Sequence, residues 1–369
     1  MLATTTASRL LRSPVVDLLV GPHGIDRYLE LIRPDLTVHD ARAEVIALVN
    51  QTARSVTLRL RPNAAWTGFR AGQSISVGIE IDGVRRTRSY SPACSEHGRD
   101  GLLELTVTVH PGGLVSRHLQ SSAGPGTILH LGEGRGDFVL GEPRPERLVL
   151  ISGGSGVTPV MSILRTLCDE GHRGEVAVVH YARTEADWLY QPEVQALAAR
   201  HPGISVAHVA TREGGERVSA EALGRLAGEL DGAYAAVCGP PSLIEAVRSI
   251  WAGLAGGADR VLAETFTAPA LRVTGGASRG TPGGASRGTL HFLRSARHAA
   301  IGEGTLLEQA EAAGLSPEFG CRMGICHTCT CRKAAGPVRN VLTGSVSSEE
   351  DEDIQLCVSV PAGDVALEI

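Results

Sequence analysis

"EFGCRMGICHTCTC", residues 318 to 331, places four cysteines within eleven positions, and a further one, Cys357, follows in "IQLCVSV". Five of the chain's eight cysteines thus fall in one C-terminal stretch. Cys321, Cys326 and Cys329 are spaced C-x4-C-x2-C, with Cys357 28 positions beyond the third. Thiols gathered this closely in sequence read as ligands of one metal centre.

A structural zinc site usually pairs two C-x2-C knuckles, and the sequence offers no second one. The x4–x2 spacing with a distant fourth thiol is that of a plant-type [2Fe-2S] cluster, so Cys321, Cys326, Cys329 and Cys357 are the expected iron ligands. Gly324 lets the backbone bend close to a bulky cluster, and small or polar neighbours leave room for N–H bonds to its sulfides. Disulfides are the competing reading, and a cytoplasmic chain disfavours them. That location is expected because no apolar run approaches about 18 residues and the first segment is broken by Arg12, Pro14 and Asp17. Cys331 falls outside the spacing and is expected to be a packed thiol where the chain enters a strand.

With 369 residues, 43% apolar and 20% charged, the chain has room for several globular domains. Residues 289–369 carry eleven acidic and six basic residues, and the remainder carries 29 of each sign. An acidic tail argues against nucleic acid as a partner there; it suits docking to a basic protein surface or, since five acids form the run "EEDED" at 349–353, a solvated loop. The single lysine, Lys333, against 34 arginines reads as compositional bias.

Residues 1–40 form an extension with one predicted helix in "GIDRYLELIRP". Residues 41–141 read as short alternating strands with a hairpin turn at Asp82-Gly83, the pattern of an antiparallel barrel. Residues 142–267 alternate buried strands and helices, which predicts a doubly wound parallel sheet. "GGASRGTPGGASRGTL" at 275–290 overlaps the end of a Gly- and Ser-rich flexible linker spanning 268–288, expected to let the tail swing. Residues 289–369 form the cysteine-bearing domain, with a strand "TLHFLRS", a helix "TLLEQAEAAG" and a last strand "DVALEI".

The first two domains look like the cluster's electron donor. "RTRSYS" contains R-x-Y-S, in which Arg88 can neutralise a flavin phosphate, Tyr90 can stack on the ring and Ser91 can hydrogen-bond near N5. Further on, Gly113 and Ser116 form G-x-x-S ahead of a helix, an anion site for a pyrophosphate. "ISGGSGVTPVMSIL" at 151–164 puts a glycine-rich turn between strand and helix, with Pro159 suited to the first helical turn.

On these motifs the chain resembles the ferredoxin-NADP(H) reductase superfamily, in the subgroup with a C-terminal plant-type ferredoxin, over roughly residues 40–369. The resemblance implies an antiparallel flavin-binding barrel, a doubly wound parallel nicotinamide domain and a β-grasp ferredoxin domain. It implies that Arg88, Tyr90 and Ser91 belong to the flavin site and Gly113 and Ser116 to its pyrophosphate. Gly154, Ser155, Gly156 and Pro159 would bind the nicotinamide dinucleotide. "CGPP" would bring Cys238 to the nicotinamide with Gly239 and Pro240 beside it, and "ETF" would put Glu264 and Phe266 near the flavin. Ser91, Cys238 and Glu264 are thus the candidate catalytic residues. "TRE" at 211–213 is similar to a 2′-phosphate segment, so Thr211 and Arg212, assisted by Arg183, favour NADPH over NADH. FAD is favoured over FMN.

The implied activity is transfer of a hydride from NAD(P)H to flavin and of single electrons onward through the cluster to a redox partner protein. The nearest likeness is to reductase components of membrane di-iron acyl desaturases and alkane hydroxylases, which reach a membrane only through the partner. The chain also resembles phenylacetyl-CoA epoxidase-type reductases, and soluble di-iron epoxidases, Rieske dioxygenases and cytochromes P450 are the alternative acceptors. A reading of another class is a zinc-stabilised binding protein with an idle α/β domain.

Overall fold

The computed structural model describes residues 24–98, 100–110, 113–266, 288–320, 322, 324 and 327–369. It divides into two compact units between residues 266 and 267. The expected linker falls outside the described residues except for Gly288, as do Cys321 and Cys326.

The first unit opens with α1 (Gly24–Leu29), shorter than the predicted helix because the chain turns away over 30–33 ahead of Pro34. The Asp26 carboxylate accepts the N–H groups of Val38, His39 and Asp40 at 2.5, 2.9 and 3.1 Å, which folds the extension back on itself. Buried Arg42 then ties it to the barrel through Glu30 (2.7 Å) and the Pro34 carbonyl (2.6 Å).

The barrel consists of β1 (Arg42–Thr52), β2 (Ser55–Pro62), β3 (Ser74–Ile81), β4 (Val84–Tyr90), β5 (Leu103–Thr108) and β6 (Ile128–Arg135), with α2 (Leu114–Ser121) before the last strand. The order is β4-β3-β6-β1-β2-β5, every pairing antiparallel. Alternation puts Val45, Leu58, Leu60, Val77, Leu105 and Leu129 into one core. Asp82 and Gly83 both have positive φ, 52° and 74°, the hairpin turn that their sequence calls for. Just past β4, Pro92 bridges to Leu105 on β5 and brings the two edges together.

The α/β part runs β7 (Arg147–Gly153), α3 (Val157–Asp169), β8 (Glu175–Ala182), α4 (Gln191–Arg200), β9 (Ile204–Ala210), α5 (Ala220–Ala227), β10 (Tyr234–Cys238), α6 (Pro241–Ala252) and β11 (Val261–Glu264). Its parallel sheet has the order β11-β10-β7-β8-β9. The order reverses between β7 and β10, the topological switch point where such sheets bind ligands. Among the described residues no helix is long and apolar enough to cross a membrane.

The second unit comprises β12 (Thr289–Phe292), β13 (Arg297–Ala300), α7 (Leu306–Ala312), β14 (Thr330–Ala335), β15 (Val338–Asn340), β16 (Val346–Ser347), β17 (Glu352–Gln355), β18 (Ser359–Pro361) and β19 (Val365–Leu367). Its main sheet, β13-β12-β19-β14-β17, has β12 parallel to β19 and grasps α7, whose Leu306, Leu307 and Ala310 are buried. A capping box between Thr305 and Glu308 starts that helix.

One sequence reading changes here. The acidic run is not a uniform solvated loop, because Glu352 already belongs to β17 and pairs with Lys333. The chain's only lysine is fully buried, its Nζ 2.7 Å from Glu352 and donating to the Gly336 carbonyl at 2.9 Å.

Candidate functional site

Helix α3 stitches the barrel to the α/β part. Arg165 donates to the Ala93 carbonyl (2.7 Å) and to Glu104 (2.8 Å), Ser162 donates to the Cys94 carbonyl (2.7 Å), and Thr166 accepts the Glu96 N–H (3.1 Å). The segment they hold, 93–96, directly follows R-x-Y-S, while α3 itself directly follows the glycine-rich turn. The two motifs are therefore brought together by one helix.

Arg88 and Tyr90 lie on the last turns of β4, half-buried, with Ser91 buried just beyond. The Arg88 guanidinium donates to the Thr87 carbonyl at 2.7 Å and pairs with no carboxylate among the described residues. Burial pushes the Tyr90 phenol up to about 12, so it is neutral at physiological pH. Ser89 Oγ and Ser91 Oγ are enclosed without a hydrogen-bond partner among the described residues. Gly113 is the N-cap of α2, with no side-chain cap and no acid in the first turn, and Ser116 is buried one turn on. Backbone N–H groups at such an end are free for an anion.

At the switch point, Gly154–Gly156 form a tight turn and α3 begins at Val157 without a side-chain cap. Pro159 sits in its first turn, and Thr158 Oγ1 donates to the Ser155 carbonyl at 3.2 Å. A Cβ on Gly156 would lie 2.3 Å from the Cys238 carbonyl oxygen, so the turn rests directly on the backbone of β10 where "CGP" begins. Cys238 is wholly buried beside Gly239, and Pro240 caps α6.

Cys238 pairs in register with Glu264 on β11. Burial pushes the Glu264 carboxyl up to about 8, and its Oε2 is enclosed without a hydrogen-bond partner among the described residues. Its other oxygen lies 3.8 Å from where a Cβ on Gly136 of the barrel would be, which puts the carboxyl at the seam of barrel and sheet. Burial, with Glu264 adding to it, holds the Cys238 thiol well above its ordinary range. Phe266 packs two residues on against the shared core.

At the same edge of the sheet, the loops after β8 and β9 are joined. Thr211 donates both N–H and Oγ1 to the Ala182 carbonyl (2.9 and 3.0 Å), and the Arg212 N–H donates to the Arg183 carbonyl (2.9 Å). Arg183 and Arg212 are thereby neighbours, both exposed, and neither forms an ion pair among the described residues.

In the second unit Cys329 and Cys357 are buried, and the Cys357 N–H points at Cys329 Sγ, 3.4 Å away. Cys331 is half-buried on β14, its thiol pushed up to about 11 by burial and donating to the Arg332 carbonyl at 3.4 Å. Arg322 and His327, in the cysteine loop, have φ of 57° and 55°, unusual for non-glycine residues.

The donor sets fit the groups that the motifs imply. Enclosed hydroxyls without a hydrogen-bond partner among the described residues, an enclosed carboxyl and a helix end without a side-chain cap suit a flavin nucleotide. Buried thiols with a backbone N–H aimed at sulfur suit an iron-sulfur cluster.

Comparisons with known proteins agree in domain order. The families described as "Oxidoreductase FAD-binding domain", "Oxidoreductase NAD-binding domain" and "2Fe-2S iron-sulfur cluster binding domain" match residues 41–139, 150–249 and 294–362. A "NADPH oxidoreductase" of Mycobacterium tuberculosis is 35% identical over 350 residues, covering 93% of this chain and 88% of the relative. The chain is a ferredoxin reductase-type NAD(P)H oxidoreductase. It works with FAD, NAD(P)H and a [2Fe-2S] cluster.

The reductase is also similar to the ferredoxin reductase component of 3-ketosteroid-9-alpha-monooxygenase from the same species. That relative is 31% identical over 308 residues, with 80% of this chain and 84% of the relative covered. A solved structure of phthalate dioxygenase reductase superposes with a TM-score of 0.60 at 20% identity, over 89% of this chain and 98% of that one, and shares its fold.

Sequence reading passed over a polar row beneath the reductase's nucleotide edge. Glu264, Cys238, Ser152, His180 and His208 lie at one level across all five strands. Ser152 Oγ and His180 Nδ1 are 2.8 Å apart, and burial pushes His180 down to about 3, so it is neutral. Single polar residues inside apolar strands read as isolated; only the register aligns them.

Proposed function

We propose that the reductase carries electrons from NADPH through FAD to a [2Fe-2S] cluster held by Cys321, Cys326, Cys329 and Cys357, and on to an oxygenase-class partner. The observation that carries this reading is the convergence, through α3, of R-x-Y-S and the Gly154–Gly156 turn on the seam that holds Glu264. Bound FAD supplies hydride acceptance and single-electron release. Tyr90 stacks on the flavin ring, Ser91 Oγ donates to it, Arg88 meets its phosphate, and Gly113 and Ser116 face the pyrophosphate. On the other side the turn at 154–156, with Ser155 and Pro159, receives the dinucleotide pyrophosphate. Cys238, Gly239 and Pro240 line the nicotinamide's approach, and Phe266 covers the flavin.

Glu264, held protonated near neutral pH, keeps negative charge away from a site that receives a hydride and later releases a proton. Arg183, Arg212 and Thr211 take the 2′-phosphate, which favours NADPH. Supporting this preference is the pair of exposed guanidiniums that form no ion pair among the described residues.

For the acceptor, the first reading is a membrane di-iron desaturase or hydroxylase. Its support is family likeness together with the exposed apolar side chains of the N-terminal segment, Tyr28, Leu31 and Ile32. A second reading, a monooxygenase of another kind, is favoured by relatives named as reductase parts of glycine betaine monooxygenase and propane 2-monooxygenase.

Anaerobic titration tests the electron route: NADPH bleaches the flavin and then produces a reduced-cluster EPR signal, and absence of both refutes it. Replacing Cys357 by Ser abolishes cytochrome c reduction while sparing direct reduction of ferricyanide. Crosslinking of the reduced protein in its native extract, followed by mass spectrometry, separates the two acceptor readings.

A further inference from the structure

Gln355 closes β17 two residues before Cys357, and its side-chain Nε2 donates to the Gly324 carbonyl at 2.7 Å, across 31 positions of sequence. Gly324 stands at the middle of the C-x4-C segment with φ +79°. A Cβ there would come within 2.9 Å of both Leu342 Cδ1 and Val358 Cγ1, so the loop backbone is pressed onto the segment around Cys357.

The next two residues reach the same loop. The Leu356 N–H donates to the Cys329 carbonyl at 3.1 Å, and the Cys357 N–H points at Cys329 Sγ at 3.4 Å. Three consecutive residues thus grip the cysteine loop at three points, two through backbone that any side chain preserves and one through an amide that only this side chain provides.

The strand bearing that amide is itself fixed. Lys333 and Glu352 pair in register and by charge at its start, and Glu352 also accepts from Ser347 Oγ at 2.8 Å. A slip of one residue would turn Gln355 to the other face and break the buried ion pair.

We propose that Gln355 is a positioning residue for the iron-sulfur cluster, locking Gly324 of the C-x4-C loop against the end of β17, two residues before Cys357, through its bond to the Gly324 carbonyl. This rests on the ligand assignment made above. Gln355 is not itself a ligand; it holds the Gly324 backbone at a fixed place relative to the segment that carries Cys357. Leu at 355 fills similar space but leaves the Gly324 carbonyl without its donor, Glu opposes that carbonyl with another acceptor, and Lys restores a donor of similar reach.

The test is loss of iron to a chelator from the cluster-bearing full chain, with the EPR spectrum of the reduced cluster recorded alongside. Partners that orient metal ligands typically affect retention by 10- to 100-fold, so Gln355→Leu and Gln355→Glu are expected to release iron at least about tenfold faster and to show altered g values. Gln355→Lys stays within about twofold of the native chain. FAD content and NADPH-driven ferricyanide reduction stay unchanged in all three, confirming an intact first unit.

Native release rates and spectra in the Leu and Glu variants, or equal loss in Glu and Lys variants, overturn the proposal. Where Gln355→Leu yields no cluster-bearing protein, the Glu and Lys pair decides by the same comparison. If Cys357→Ser keeps a native cluster, the ligand assignment itself falls; if it loses the cluster while the Gln355 variants do not, only the role of Gln355 falls.

Discussion

Gly156→Ala adds one methyl group where the turn at 154–156 rests on β10. The new Cβ would stand 2.3 Å from the Cys238 carbonyl oxygen, 2.6 Å from its carbon and 3.0 Å from the Gly239 nitrogen, all backbone atoms. Ordinary contact begins near 3.4 Å, so turn and strand must part by about 1 Å. Gly156 has φ −62°, which alanine adopts freely, so the cost is contact and not backbone strain. Overpacking of this kind costs about 1–3 kcal/mol of stability. A displacement of about 1 Å between the dinucleotide's pyrophosphate seat and the strand end at Cys238 lowers the rate about 100-fold. The assay is kcat/KM for NADPH with ferricyanide, which needs only the first unit. FAD content and the cluster's EPR signal should be unchanged, because neither site includes the turn. An alanine variant with native kcat/KM would refute the argument that this backbone contact positions the cofactor.

Other perturbations follow from the same geometry. Glu264 holds its proton far above the ordinary carboxyl range, so its contribution to stability is complete below about 4.5 and is lost as pH rises through about 8; the thermal midpoint of flavin release should decline over that window, and by less in Glu264→Gln. Arg212→Ala removes one charge-assisted contact, worth about 1.5–3 kcal/mol; steady-state kinetics should show KM for NADPH rising at least about tenfold with KM for NADH almost unmoved. In the second unit, Glu352→Gln strands the fully buried Lys333 ammonium, whereas Lys333→Met leaves only a carboxylate within reach of water. Urea denaturation followed by the cluster's visible absorption should therefore show the Glu352 variant less stable, by about 3 kcal/mol, and the Lys333 variant near native.

Much of this architecture was legible along the chain because the signals are local. Asp82-Gly83 needs only its own backbone preference to make a hairpin, and the strands flanking it alternate visibly. The α/β rhythm from Arg147 onward comes from runs long enough to show their period. β6, "ILHLGEGR", is less legible by itself, because two glycines in a strand read as loop until neighbouring strands supply its pairing. The N-terminal helix ends early because the chain turns away over 30–33 ahead of Pro34, and the Asp26 carboxylate then accepts three N–H groups of residues 38–40, a partner choice that no window of sequence displays.

What the amino-acid order determined by itself was chemistry that depends on spacing: four thiols at cluster intervals, R-x-Y-S, a glycine turn ahead of Thr158-Pro159, and a domain order that runs from flavin to iron. What only the tertiary structure decided was which groups meet across strands. Register sets Cys238 beside Glu264, aligns Ser152 with His180 and His208, and pairs Lys333 with Glu352, while tertiary packing brings the Gln355 side chain to Gly324. A strand's sequence sets which face each residue takes, but its lateral neighbour belongs to another strand many positions away, fixed only when the sheet closes.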